Sequence, residues 1–120
     1  MLTNTDCTMY RYTERGYERV YIPACFWQDS RGVSLSAGGL VPTDEVLLYI
    51  PEEYAPRAPK TPQKDILVRG RCAYTFNNSN ASTVSESLRK LTAEFATVTV
   101  VSVANKLYGA ALRHIKVVAR

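Results

Sequence analysis

Histidine is almost absent from this sequence, since His114 is the only one in 120 residues. A single imidazole excludes a metal site built on several histidines. It leaves a Cys–His pair as a formal possibility, but Cys25 and Cys72 fall in predicted strands, where buried inert thiols are usual. Glycine-rich nucleotide loops, the GxSxG turn and the CxxC spacing are also missing. We therefore predict that the protein is not an enzyme and holds no metal or cofactor.

Long apolar runs are missing as well. No run reaches the roughly 18 residues that a membrane-spanning helix needs, and the opening stretch MLTNTDCTMYRYTERG is polar, unlike a secretory leader. The 3 cysteines are odd in number and far apart, which is typical of reduced thiols in a cytosolic product. These absences predict a protein made in the cytoplasm, without a membrane partner.

The composition is that of one globular domain spanning residues 1–120. Hydrophobic residues make up 46% of the chain and charged residues 22%, which is ordinary for a folded protein of this length. The net charge of +4 permits contact with nucleic acid. The 15 Lys and Arg residues are nevertheless scattered singly or in pairs, whereas a dedicated nucleic-acid binder gathers them on one element.

The clearest strand is YERVYIPACFW. Alternate residues of a strand point to opposite faces, and one face here is aliphatic and predicted to be core: Val20, Ile22, Ala24 and Phe26. The other face is aromatic and basic, which predicts a surface that meets a partner: Tyr17, Arg19, Tyr21, Cys25 and Trp27. Pro23 cannot donate to a ladder, so it marks an edge or a bend.

Other segments with strand patterns are CTMYRY, EVLLYIP, DILVRGRCAYTF, ATVTVVSV and HIKVVA. QDSRGVSLSAGGLVPTD is predicted to be a loop with a short strand at GVSLS, NNSNAS a polar loop, and ANKLYGAALR a turn or loop. One helix is predicted from about Thr83 to Phe95. Thr83 and Glu86 match a capping box, and a core-facing apolar stripe follows at helical spacing: Val84, Leu88, Leu91 and Phe95. We predict a mainly β fold, a small antiparallel barrel of six to seven strands with one short α-helix.

A long proline-rich loop, residues 51–64, separates two of these strands. Proline recurs every third residue at Pro56, Pro59 and Pro62, the period of polyproline II. We call residues Glu52–Lys64 the proline arm and predict that it projects on the order of 20 Å from the barrel. Its role is then to contact neighbouring subunits or to line a channel, through Glu52, Glu53, Tyr54, Arg57, Lys60 and Lys64. A PxxP ligand for an aromatic groove and a merely tolerated loop are the alternatives.

The order of segments resembles a family of small tailed-phage virion proteins, the head–tail connector and head-closure (stopper) proteins. The matching stretches run from about Tyr10 to the C-terminus: YERVYIPACFWQDSRG, GGLVPTDEVLLYIP, KDILVRG, and TVTVVSVAN followed by RHIKVVAR. Lys64 and Ile115 depart from that pattern, which tends to have glycine and tryptophan there.

The resemblance implies a structural virion protein at the phage neck. Such subunits form a homo-oligomeric ring, dodecameric in head-closure proteins, between portal or adaptor and tail, with a long loop reaching the DNA channel. The proline arm would be that loop, in non-specific contact with packaged DNA. We expect the face made by Tyr17, Arg19, Tyr21 and Trp27, together with the polar loop 77–82, to carry subunit contacts.

Two other functions remain open. One is a tail-terminator ring, which is typically hexameric and more helical. The other is a nucleic-acid-binding barrel that resembles an OB fold, in which aromatic side chains stack on bases: Tyr10, Tyr12, Tyr17, Tyr21 and Trp27.

Overall fold

The computed structural model of the chain describes residues 2–36, 39–106 and 113–120, of which 30–36, 39–43 and 106 are described by their backbone alone. Six strands and one α-helix lie within these residues. In chain order they are β1 (Thr5–Thr13), β2 (Gly16–Ser36), β3 (Gly39–Pro51), β4 (Ile66–Arg69), α1 (Ala81–Glu94), β5 (Thr97–Lys106) and β6 (His114–Ala119).

The six strands form a closed barrel in the order β1-β2-β3-β6-β5-β4. Every neighbouring pair is antiparallel. Strands β1 to β3 form one meander and β4 to β6 a second, and β1–β4 and β3–β6 pairing joins the two. The prediction of a mainly β, antiparallel barrel with one short helix is confirmed. Closure removes the free edges that an open sheet of this size would expose.

The barrel interior holds the main hydrophobic core. Alternate residues of each strand point inward, as in Met9 on β1, Leu48 on β3 and Val117 on β6, all fully buried. Burial of one such side chain contributes about 1.5–3 kcal/mol to folding. The barrel therefore supplies most of the hydrophobic stabilisation of this chain.

A second cluster lies outside the barrel, beneath α1. Tyr10, Tyr17 and Ile66 point outward from β1, β2 and β4 and pack against Leu91 of the helix. Leu91 is fully buried, and Val84 and Leu88 are partly buried, so the core-facing stripe is confirmed for these positions. Phe95, the last residue of the predicted stripe, is 37% exposed.

The helix begins earlier than its sequence pattern predicts. Asn80, not Thr83, is the N-cap, because its side-chain oxygen accepts a 3.0 Å hydrogen bond from the Thr83 amide while the Thr83 hydroxyl accepts one from the Asn80 amide. Glu86, which we assigned to the cap, instead pairs with Lys90 one turn later, at 3.3 Å. Asparagine is among the best N-cap residues, so it begins the helix at the first opportunity.

The segment predicted as one strand, DILVRGRCAYTF, is a strand only over Ile66–Arg69. Gly70 turns the chain with φ of +84°, a value that favours glycine, and residues 71–76 cross the outer face of the barrel without a ladder. Side chains of β1 hold this crossing: the Thr8 hydroxyl accepts from the Cys72 amide at 2.9 Å, and the Tyr10 hydroxyl donates to the Tyr74 carbonyl at 2.6 Å.

Two predicted loops are partly strand. Residues 28–36 and 39–45 continue β2 and β3 as a regular antiparallel ladder instead of a Gly- and Ser-rich loop. Strand β5 likewise extends through Ala104–Lys106, into the predicted turn. The rest of that turn, 107–112, lies outside the described residues.

Candidate assembly surfaces

A β-bulge in β2 decides which of its residues face the core. Thr5 of β1 pairs with Cys25, whereas Cys7 pairs with Ile22, so two steps on β1 oppose three on β2. The extra residue lies at Pro23–Ala24, where a residue that cannot donate to the ladder is tolerated. Because the bulge shifts the inward phase by one residue, Ile22 and Cys25 are both fully buried.

The prediction that these side chains of β2 form one exposed interface face is therefore wrong. Trp27, in phase with Cys25, packs in the barrel core and is only 7% exposed, and Tyr17 is 8% exposed beneath α1. Arg19 and Tyr21 remain at the surface but have partners within the molecule. Arg19 donates to the Cys72 carbonyl at 2.9 Å. Tyr21 donates to the Asp6 carboxylate, and the Arg71 guanidinium lies 5.2 Å from its ring centroid.

The proline arm does not project. Its first half, Glu52–Arg57, is a 3₁₀ helix, and Ala58 then enters the barrel core at 6% exposure, with Tyr54 and Ala55 packed beside it. The prediction of a projecting polyproline spur is wrong. Polyproline II leaves the backbone solvated, whereas here burial of three apolar side chains against the barrel favours a folded segment.

A buried carboxylate fastens the end of the arm. Asp65 is fully buried, and its Oδ1 accepts a hydrogen bond from the Tyr12 amide at 2.7 Å. Its Oδ2 accepts from the amides of Lys60 and Thr61 at 2.8 and 2.9 Å. Hydrogen bonds to a charged acceptor are the stronger kind, so this residue joins the arm to β1. Neither a motif nor a periodicity in the sequence indicated it.

The six arm residues assigned to contacts are spread around the closed end of the barrel. Glu52 pairs with Arg113 at 3.3 Å, and Tyr54 packs inward. Arg57 donates to the Tyr21 carbonyl at 2.9 Å. Glu53, Lys60 and Lys64 are exposed, the last with its ammonium 5.4 Å from the Tyr12 ring centroid. Their charged groups lie at the surface but share no protruding tip.

The projecting element is instead the β2–β3 hairpin. Beyond Cys25, β2 has no ladder with β1, and β6 pairs with β3 only from Val46 onward. We call residues 28–45 the ribbon, and among the described strands none pairs with it from outside. Its ladder runs from Ser30↔Glu45 to Ser36↔Gly39, a length of about 20 Å at 3.4 Å per residue.

The overall dimensions agree with a body that carries a projection. The radius of gyration is 15.1 Å, compared with about 14 Å for a compact domain of this length. A two-stranded hairpin is marginally stable by itself in water, and no described strand lies beside either edge of this one. Within the described residues, the ribbon is thus supported by the pairing of its own two strands.

The polar loop 77–82 is exposed and positions α1. The Asn78 side chain accepts from the Tyr17 amide at 3.2 Å and donates to the Tyr17 carbonyl at 2.9 Å, so it extends the β2 backbone pattern with a side chain. Asn80 caps the helix. Whether this loop also touches another subunit stays a prediction.

The residues considered for chemistry have structural surroundings. His114 is half-buried, with its ring centroid 5.4 Å from that of Tyr49. All 3 cysteines are buried and free. Within the described part of the chain, no cluster of His, Cys, Asp and Glu could hold a metal ion. Nor does any helix described there have the length and apolar character needed to cross a bilayer.

The shifted pKa values belong to buried groups. Burial, followed by the hydrogen bond with Cys72, raises the pKa of the Tyr10 phenol above its ordinary 10.0. The thiols of Cys7 and Cys25 interact inside the barrel: their hydrogen bond raises the pKa of Cys7 and lowers that of Cys25. Burial raises the pKa of Tyr17. The raised pKa values mean that the two phenols and the Cys7 thiol stay neutral in the core.

Fold and surfaces together define a small, mainly β barrel protein with one end closed by its own chain and a two-stranded ribbon that no other described strand pairs with. Residues 2–120 match the model of a family described as a family of unknown function (DUF6751), and the chain belongs to that family. The search of curated proteins finds no match, and neither does the search of solved structures.

Proposed function

We propose that this chain is a structural virion protein of a tailed bacteriophage, a head–tail connector subunit of the head-closure kind. It would act in a homo-oligomeric ring between portal or adaptor and tail, without enzymatic activity. The observation that carries an assembly role is the ribbon, which no other described strand of its own molecule pairs with. The virion context rests on the resemblance in the order of sequence segments.

The geometry supports assembly through unlike surfaces. A ring of identical subunits needs two different lateral faces that meet head to tail. The ribbon leaves one side of the barrel, beyond Trp27 and before Val46, while α1 covers the wall formed by β1, β2 and β4. A subunit with one extended element and a separate helix-bearing wall meets that requirement.

The folded proline arm changes one part of the expected mechanism. Because the arm closes its own barrel, we assign the reaching role to the ribbon instead. The exposed side chains of Arg57, Lys60 and Lys64 still give the closed end a small excess of cations over the exposed carboxylates of Glu52 and Glu53. Such a surface supports non-specific contact with DNA phosphates in the channel.

The nucleic-acid-binding alternative is weakened by burial. Of the five aromatic residues it would use, Tyr10, Tyr17 and Trp27 are buried, so their rings cannot stack on bases. The barrel also has six strands, whereas an OB fold has five. The tail-terminator alternative remains in the same class, and imaging separates the two by position along the neck.

The test is deletion of this gene in a phage that encodes it, followed by electron microscopy and protein analysis of the particles. We expect heads that package DNA but do not retain it or join tails, and a ring at the neck when the gene is supplied in trans. Complete, infectious particles that lack the chain would overturn the proposal. A ring at the tail end of the neck would favour the terminator.

A salt titration with single-stranded DNA tests the remaining alternative. A connector monomer binds weakly, whereas a single-strand binder binds tightly at low salt and loses affinity steeply as salt rises. As a control, Arg57→Ala/Lys60→Ala removes two cations from the closed end but leaves the Asp65 hydrogen bonds, which involve the backbone amide of Lys60. Tight binding that this variant does not weaken would point to a base-stacking surface.

A further inference from the structure

The ribbon and the rest of the molecule carry opposite net charges. Residues 28–45 contain three carboxylates and one arginine, giving −2. One of these carboxylates, Glu45, pairs with Arg120 of the same molecule at 2.9 Å. The remaining residues contain fourteen Lys and Arg against eight Asp and Glu, giving +6. Opposite patches of this kind steer one molecule toward another and fix their orientation. A second copy of this chain therefore offers the ribbon a complementary surface.

That surface contains a groove between α1 and the barrel. It has a volume of about 530 Å³, and its lining combines the partly or fully buried side chains of Tyr17, Ile66 and Leu88 with the cations Lys64 and Arg89. No Asp or Glu occurs among the described residues that line it. The groove thus suits an apolar segment flanked by carboxylates.

The ribbon has that composition in its sequence. Two alternate pairs of its outer half, Val33↔Pro42 and Leu35↔Leu40, are apolar, and Asp29 lies exposed at its base. Successive positions on one face of a strand are two residues apart, so these four apolar positions fall on one face of the ribbon. Asp29 lies on the same face, because it is two and four residues from Arg31 and Val33.

We propose that the ribbon of one copy occupies the α1 groove of the next, with the exposed Asp29 at its base facing Lys64 and Arg89. This inference rests on the proposed function: it identifies a second copy of the chain as the partner within the proposed ring. The contact is heterologous, because ribbon and groove are different surfaces, so repetition closes a ring or continues as a filament. It also supplies the cover that an isolated two-stranded hairpin lacks.

The test uses two variants of the full chain that each lose one side of the contact. In the first, residues 31–44 are replaced by Asn-Gly, a two-residue hairpin turn that keeps the pair Ser30↔Glu45 in register, which removes the ribbon and keeps the groove. In the second, Lys64→Glu/Arg89→Glu reverses the groove cations and keeps the ribbon. Arg15→Glu/Arg71→Glu makes the same charge change outside the groove and serves as the control. Circular dichroism and urea unfolding verify that all of them fold.

Light scattering coupled to size exclusion, at low salt and up to millimolar chain, gives the readout. We expect the wild type and the control to assemble, and each of the two variants to lose at least tenfold in apparent association constant. Mixed together, the two variants should form a 1:1 dimer that grows no further, because only one junction is intact. A wild-type chain that stays monomeric, or assembly that survives in either variant, would overturn the proposal.

This outcome is separable from that of the gene deletion. Ribbon-dependent assembly in a chain that is absent from phage particles would retain the self-contact and overturn the connector role. Incorporation of the ribbon-deleted chain into normal necks would retain the connector role and overturn the contact between ribbon and groove.

Discussion

Asp65 and Tyr12 lie 53 positions apart in the sequence and are joined by a 2.7 Å hydrogen bond between a buried carboxylate and a backbone amide. The same carboxylate holds the amides of Lys60 and Thr61. This side chain therefore joins the proline arm to β1, together with Arg11 of β1, which donates to the carbonyls of Pro56 and Ala58. The arm's prolines remove donors and restrict the unfolded chain, but these long-range contacts hold the arm against the barrel.

Replacement of Asp65 by Ala should release the end of the arm. Three amides lose their acceptor, and because these hydrogen bonds are part-buried, water can replace it in the released arm. At about 0.5–1.5 kcal/mol net for each hydrogen bond, we expect a loss of roughly 1.5–4.5 kcal/mol of unfolding free energy. Urea unfolding measures it, with Glu53→Ala on the exposed face of the arm as the control. Hydrogen exchange should accelerate at the amides of Tyr12, Lys60 and Thr61. Unchanged protection there would contradict the anchor.

Introduction of a charge at Ala58 should expel the arm from the barrel end. Ala58 is 6% exposed and packs in the core, so the carboxylate of Ala58→Glu cannot stay there without a partner. We expect faster trypsin cleavage after Arg57, Lys60 and Lys64 than in the wild type. The matched variant Glu53→Ala should keep the wild-type rate. Equal rates in the wild type and Ala58→Glu would mean that the arm is already free.

The barrel was predictable because alternation survives in most of its strands. Met9, Leu48 and Val117 are buried in the phase that their patterns imply. The β2 face was not, because the bulge at Pro23 changes the phase midway and a period of two carries no record of an inserted residue. The prediction of a projecting arm was wrong for a related reason. Proline spacing reports a local backbone preference, whereas Asp65 and the barrel end that the arm covers contact it across long sequence distances.

The ribbon also shows that local sequence propensity is not sufficient to predict this fold. Its residues are rich in glycine and serine, which predicts a loop, yet the register fixed between Phe26↔Tyr49 and Leu48↔Trp27 continues without interruption to Ser36↔Gly39. Ladder hydrogen bonds extend from a well-ordered base into a segment whose own propensity is weak. Propensity alone therefore missed the surface to which we now assign assembly.

Trp27→Ala should destabilise the protein far more than Arg19→Ala, although the sequence pattern placed both residues on one surface face of β2. Trp27 is in the core, and large aromatic to alanine changes there cost about 3–5 kcal/mol. Arg19→Ala, at an exposed position, should cost less than about 1 kcal/mol. Urea midpoints compare the two. Because the chain has 1 tryptophan, wild-type fluorescence should also be blue-shifted and poorly quenched by acrylamide. Similar costs would restore the surface assignment.

Alkaline pH should weaken the fold through Tyr10. Its native pKa is raised above 10.0, so the unfolded phenol ionises first. Above pH 10 the unfolded state thus binds fewer protons than the native state, and the free energy of unfolding falls as pH rises. Tyr10→Phe should make that fall shallower, whereas Tyr12→Phe, at an exposed ring, should not. Urea unfolding between pH 9 and 12 gives the slopes. A Tyr10→Phe slope equal to the wild type would exclude this linkage.

The start of α1 can be tested by a pair of alanine variants. Asn80 provides the cap observed here, whereas Glu86 belongs to the cap that the sequence pattern predicts. Loss of an N-cap side chain costs about 1 kcal/mol. Loss of the exposed Glu86–Lys90 pair costs about 0.3–0.5 kcal/mol at most. We therefore expect Asn80→Ala to lower the unfolding free energy two- to threefold more than Glu86→Ala, as measured by thermal and urea unfolding.

Since α1 forms one wall of the proposed groove, Asn80→Ala should also weaken self-association, and Glu86→Ala should leave it unchanged. The reverse order of stabilities would place the helix start at Thr83.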